Sequence, residues 1–343
     1  DQSLSLKGVS LPPWIMARDV SRPKQSKALQ SILEDPASRG ISLRQLQELQ
    51  DLVKMAVTQH EVMDQDGKQL RWETMTMYNV CDSFVAPVTK AAFCSYVQYI
   101  AGGRQAPIWM MSHAWSTPFA STLRMLSMHA SSRYRDNPLA TLYWCCTMAN
   151  NQHDLAELKD GDILQSPFAR VLTNQECIGT VLLCDAAVTP MRRVWCVFEM
   201  HLTQALRSGR IGNKDGHLLD VAASVSAEEG RTKRSGPELA EVPTVNDPAV
   251  LQDASDGHWQ EYSSAQGLYF PLEVARVGTR VDIAKATASV DTDRNAILNY
   301  VADGAANRSP PPTAHTQYDG LNAFIHGIFA SAELYRLACE RPA

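Results

Sequence analysis

The sequence lacks the short local motifs that fix a chemistry on sight. No Gly-x-Gly-x-x-Gly, Gly-x-x-x-x-Gly-Lys-Ser/Thr or His-Glu-x-x-His pattern occurs, so no dinucleotide fingerprint, P-loop or zinc-protease helix is present. Its eight cysteines form no Cys-x-x-Cys pair and show no disulfide-framework spacing. Most lie inside apolar runs such as Trp144-Cys145-Cys146, which predicts reduced, buried thiols in a cytoplasmic protein. No apolar stretch approaches a membrane span and the first residues carry no signal-peptide pattern, so no membrane partner is expected. The chain opens on Asp1 rather than Met, as a piece of a longer protein would. A net charge of −5 leaves no bulk electrostatic field to hold a nucleic acid, and Arg192-Arg193 and Arg231, Lys233, Arg234 are the only basic clusters.

What is present is a rhythm. Ile108–Met111, Leu142–Cys146, Ile178–Cys184 and the weaker Leu218–Ala222 are short apolar runs without clean alternation, as in strands buried on both faces of a parallel sheet. Their starts lie roughly 35 residues apart, the length of a βαβ unit. Thr117-Pro118, Ser166-Pro167 and Thr189-Pro190 each put a hydroxyl before a proline, predicting N-caps for helices over Phe119–Tyr134, Phe168–Gln175 and Met191–Arg207. Helix starts gathered at the carboxyl edge of such a sheet favour a small anionic ligand. We therefore expect an α/β fold with a parallel sheet over 106–225, preceded by a loose lead-in (1–40) and a helical extension (41–105). A mobile insertion (226–265) and C-terminal helices (266–343) follow. Leu43, Leu46, Leu49, Leu52 or Val53, and Ala56 mark one helix behind Ser42, and Asp66-Gly67 marks a hairpin.

Several residues could carry chemistry. Ser112-His113-Ala114-Trp115 follows the first run, and either lines a ligand pocket or is a structural loop with the imidazole satisfied by a backbone carbonyl. Asn150-Asn151-Gln152-His153-Asp154 follows the second run and reads equally as a ligand loop or as a turn with a helix cap at Asn151 or Asp154. Asp185 ends the third. Glu199 lies in Trp195-Cys196-Val197-Phe198-Glu199, among apolar neighbours on most sides. Burial raises a carboxyl pKa, and a poised carboxyl beside an aromatic suits glycosidic-bond cleavage. The competing reading is an ion pair with Arg192, Arg193 or Arg276. No local spacing supports a metal site, and a flavin-binding reading lacks a Ser/Thr-rich phosphate cradle beyond Ser116-Thr117.

These motifs carry a resemblance. Ser112-His113-x-Trp115, Trp144-x-Cys146, Asn150–Leu155, Ser166-Pro167-Phe168 and Trp195-Cys196-x-x-Glu199 resemble a protein family of unassigned function from single-celled algae. More widely, they are similar to TIR (Toll/interleukin-1 receptor homology) domains. That resemblance implies a flavodoxin-like parallel sheet and a nucleotide-binding signalling domain. In TIR domains that cleave NAD, the catalytic glutamate lies four residues after the tryptophan, a position held here by Glu199 after Trp195. Ser112, His113, Trp115, Asn150, Asn151, Asp185 and Trp195 are then the candidate substrate-binding residues, with NAD as substrate and no resident cofactor. Other TIR domains act only as self-associating adaptors, which implies a homo-oligomeric assembly module as the alternative. The roughly one hundred residues before the first strand depart from the usual TIR layout.

Overall fold

A computed structural model of the chain describes residues 25–59, 62–154, 162–211, 216–224, 249–251 and 270–339. Its centre is a six-stranded mixed sheet flanked by helices, with strands β1 (Ile41–Ser42), β2 (Trp109–His113), β3 (Leu142–Trp144), β4 (Gly179–Cys184), β5 (Leu218–Ala223) and β6 (Ala249–Leu251). They lie in the order β1-β3-β2-β4-β5-β6. The four inner strands, those read from the apolar runs, pair parallel. The edge strands β1 and β6 run antiparallel, so the sheet is not purely parallel as expected. Both edges fall outside the expected core, β6 inside the stretch assigned to a mobile insertion. Strands of two and three residues have no periodicity to read. The rest of that stretch, apart from 249–251, is outside the described residues.

Side chains alternate across the sheet with period two. Trp109, Met111, Val181 and Leu183 pack on one face with α1 (Leu43–Gln59) and α2 (Phe119–Arg133). Met110, Leu182, Cys184 and Trp144 pack on the other with α3 (Pro167–Thr173) and α4 (Val194–Arg207). Helix α4 is apolar nearly all round because α5 (Leu272–Gly278), α6 (Asp291–Asp303) and α7 (Thr316–Cys339) form a further layer outside it. Gly179 opens β4 where the Trp109 ring crosses: a Cβ there would lie 2.4 Å from the indole.

Capping chemistry was legible in part. Ser42 and Gln45 cap α1 reciprocally, and Ser166 caps α3 ahead of Pro167. Thr117 and Thr189 do not cap as expected. Pro118 itself is the N-cap of α2, and α4 begins only at Val194 after a 3₁₀ turn over Thr189–Arg192. The hairpin at Asp66-Gly67 forms, with Gly67 at φ +75°. The lead-in is not loose from residue 25 onward. Arg39 is 2% exposed and donates to the carbonyls of Leu33, Glu34 and Ala149. Among the described residues no helix is long and apolar enough to cross a membrane.

Candidate functional site

The chain passes from β2 to β3 on one side and then to β4 on the other, so the order reverses between β2 and β4. In open α/β sheets a crevice forms at the carboxyl ends of such a pair. Ser112 shares strand parity with Met110, which turns it to the α4 face. There it meets Glu199, one helical turn below the start of α4. Glu199 is 3% exposed and its Oε2 has no hydrogen-bond partner. No ion pair to Arg192, Arg193 or Arg276 holds it among the described residues. Burial pushes this carboxyl from its ordinary 4.5 up to about 8, against the opposing pull of the nearby Ser112 hydroxyl and Cys196 thiol. At neutral pH it is therefore mostly protonated. The Cys145, Cys146 and Cys196 thiols lie within reach of its field and are themselves pushed up, chiefly by burial.

Further polar groups stand on or just beyond the ends of β2 and β3 without partners: Ser112 Oγ, His113 Nε2, Thr117 Oγ1, Trp144 Nε1 and Asn150 Oδ1. Most buried polar groups in proteins are paired, so orphans gathered at one sheet edge call for an explanation such as a ligand. His113 is on the opposite strand parity from Ser112, which separates it from Glu199. Its Nδ1 donates to the Met111 carbonyl at 3.4 Å, leaving Nε2 as a bare acceptor, and burial pushes the imidazole down to about 4. Its backbone carbonyl, not its ring, faces the site, accepting from Cys196 Sγ at 3.4 Å.

The remaining expected site residues divide. Trp115 is half-buried at the edge of the cluster, with Nε1 donating to Cys146 Sγ at 3.2 Å. Trp195 is turned away, stacked on Phe168 at 4.8 Å and donating to Asp293 at 3.3 Å. Asn151 is occupied by its own turn, accepting from His153 N at 3.0 Å and donating to the Phe93 carbonyl at 3.0 Å. The helix it was read as capping is outside the described residues. Asp185 pins the strained turn after β4: its carboxylate accepts from Thr189 N and Oγ1 at 2.8 and 2.6 Å, while Val188 sits at φ +50°, an unusual value for a β-branched residue. The site residues sequence reasoning missed are Cys146 and Cys196. Thiols among apolar neighbours look like core, and only the fold brings them to the carboxyl.

The surface hollows of about 400 Å³ beside Asp291 and Pro311 and about 320 Å³ beside Trp72 are not lined by Glu199. Glu199, Ser112 and Cys196 are themselves buried. Among the described residues no group of three or more His, Cys, Asp or Glu side chains converges to hold a metal ion. Comparison with protein-family models, with curated proteins and with solved structures returns no match.

Proposed function

We propose that the chain carries a TIR-like, flavodoxin-like nucleotide-binding domain of the signalling type, and that it hydrolyses the N-glycosidic bond of NAD at Glu199. The order of the four parallel strands (second, first, third, fourth) is compatible with that fold. One observation carries the functional reading: a buried carboxyl with no cation among the described residues and with Oε2 left without a hydrogen-bond partner, beside Ser112 at the point where the strand order reverses. A structural carboxyl at that depth would be paired.

The chemistry follows from the charge of the ligand. A ribosyl nicotinamide is cationic, so its arrival favours ionised Glu199 and lowers the raised pKa. The C–N bond then breaks with its electron pair leaving on nicotinamide, which departs neutral. The carboxylate stabilises the oxocarbenium-like carbon, water adds to it, and the water's proton passes to Glu199 and then to solvent. Arg193, half-exposed at the start of α4, donating to Ser289 Oγ at 3.4 Å and close enough for its charge to act on Cys196, is one cation among the described residues that can meet the ligand's phosphates.

The test is incubation of the purified chain at high protein concentration with NAD, reading nicotinamide by chromatography. Release by the parent and at least a hundredfold less by Glu199→Gln, with the fold intact by circular dichroism, is expected. No release at any protein concentration removes the hydrolase. A second reading, a homo-oligomeric assembly module without turnover, draws on the 3% exposure of Glu199. It predicts concentration-dependent self-association that Glu199→Gln leaves unchanged.

A further inference from the structure

A buried carboxyl needs a way in, and the exposure of its described neighbours points to one. Of the side chains next to the carboxyl, Ser112 and Cys196 are buried, whereas Cys146 is partly exposed and Trp115, which contacts Cys146, is half-buried. Among the described residues a line from solvent toward Glu199 therefore passes the Trp115 indole and the Cys146 thiol. The indole packs against the core on the α1 and α2 face. Its polar tie is an N–H···S bond of 3.2 Å to Cys146, and a thiol is a poor acceptor. Its ring rests against Tyr78 at a tilt of 59° with centroids 5.3 Å apart, and Tyr78 is itself 41% exposed.

Tyr78 belongs to the N-terminal extension, not to the sheet. Its segment is fastened to the loop carrying Trp115: Met77 N donates to the Trp115 carbonyl at 3.0 Å, and Phe119 N donates to the Met75 carbonyl at 2.7 Å. Three residues after Tyr78 the helical backbone loosens into a π turn over Cys81–Val85, a local irregularity often found at functional positions. The extension is thus anchored by its backbone and by the core it shares with α2, and it meets the indole with the exposed Tyr78 ring.

We propose that the Trp115 indole is the gate of the Glu199 pocket and that Tyr78 of the N-terminal extension holds it shut, so that the extension regulates access. Swinging the indole about its χ1 breaks the contact to Tyr78 and the bond to Cys146 while leaving the strand ends in place. Anything that displaces Tyr78, a ligand or a partner on the extension, opens the site without moving the sheet. The proposal rests on Glu199 being the working group of that site, and its test is chosen to be read without turnover.

The experiment is site-resolved alkylation of the chain by N-ethylmaleimide, with peptide mapping, in Tyr78→Ala and in Tyr78→Phe, which keeps the ring. Cys146 and Cys196 report the pocket; Cys177 and Cys184, buried elsewhere in the core, report global opening. Tyr78→Ala is expected to label Cys146 and Cys196 about tenfold faster than the parent, with Cys177 and Cys184 unchanged and Tyr78→Phe at the parental rate. Equal rates in the two variants, or a parallel rise at all four thiols, overturns the gate. Selective labelling without nicotinamide release from any variant leaves the gate standing and removes the hydrolase.

Discussion

Glu199→Gln should stabilise the fold, and the gain should grow with pH. The carboxyl's pKa rises from 4.5 in the unfolded chain to about 8 in the folded one. Below pH 4.5 both states are protonated and the group costs nothing. As pH rises the unfolded chain ionises first, and folding then requires keeping a proton that solvent would take. Each unit of difference is worth about 1.4 kcal/mol, so the loss is about 3 kcal/mol at pH 7 and levels near roughly 5 above pH 8. Glutamine has the same shape and no charge to bury, so it escapes this loss. Urea melts of parent and variant between pH 4.5 and 8.5 should show midpoints that nearly coincide at the acid end and diverge steadily upward. A variant less stable than the parent at pH 7.5, or an offset that does not change with pH, would mean that a cation holds the carboxylate.

Asp220→Asn should act in the opposite sense. It removes the charge that Arg133 binds through two nitrogens at 2.8 and 2.6 Å and that His129 meets at 3.0 Å. Leaving the guanidinium poorly compensated should cost about 3–5 kcal/mol in a denaturant melt at pH 7. Gly179→Ala puts a methyl 2.4 Å from the Trp109 ring, and overpacking of this kind should lower stability by about 1–3 kcal/mol, read as a drop in Tm with the secondary structure kept.

The four inner strands were legible because each is an apolar run of ordinary length, buried on both faces and closed by polar residues. The edge strands were not, since Ile41–Ser42 also begins a strongly periodic helix and Ala249–Leu251 has only three residues. At the site, Glu199 could be singled out from its buried helix and its tryptophan four residues earlier. What local pattern could not supply was the pleat. Ser112 and His113 are neighbours in sequence, and a strand sends neighbours to opposite faces, so only one of them reaches the carboxyl. Trp195 was misjudged for a related reason: its ring is taken up by Phe168 and Asp293, residues with no visible tie to it in the chain.

The molecule contains its own control for reading Glu199. Among the described residues two acidic side chains are buried, Asp220 on β5 and Glu199 on α4, and burial treats them alike, but the fold does not. Asp220 at 0% exposure is given an arginine, a histidine and, through His129, the Tyr143 hydroxyl at 2.8 Å, with Arg133 also lying over the Trp109 ring. That is how a carboxylate is retained for structure: its charge locks α2 to the sheet. Glu199 lies at 3% exposure on the other face, and among the described residues no guanidinium pairs with it. The alternative of a structural ion pair therefore describes Asp220 and fails for Glu199. Under the proposed function, a carboxyl left without a cation beside a hydroxyl, at the carboxyl edge of the sheet, takes its missing partner from outside the chain.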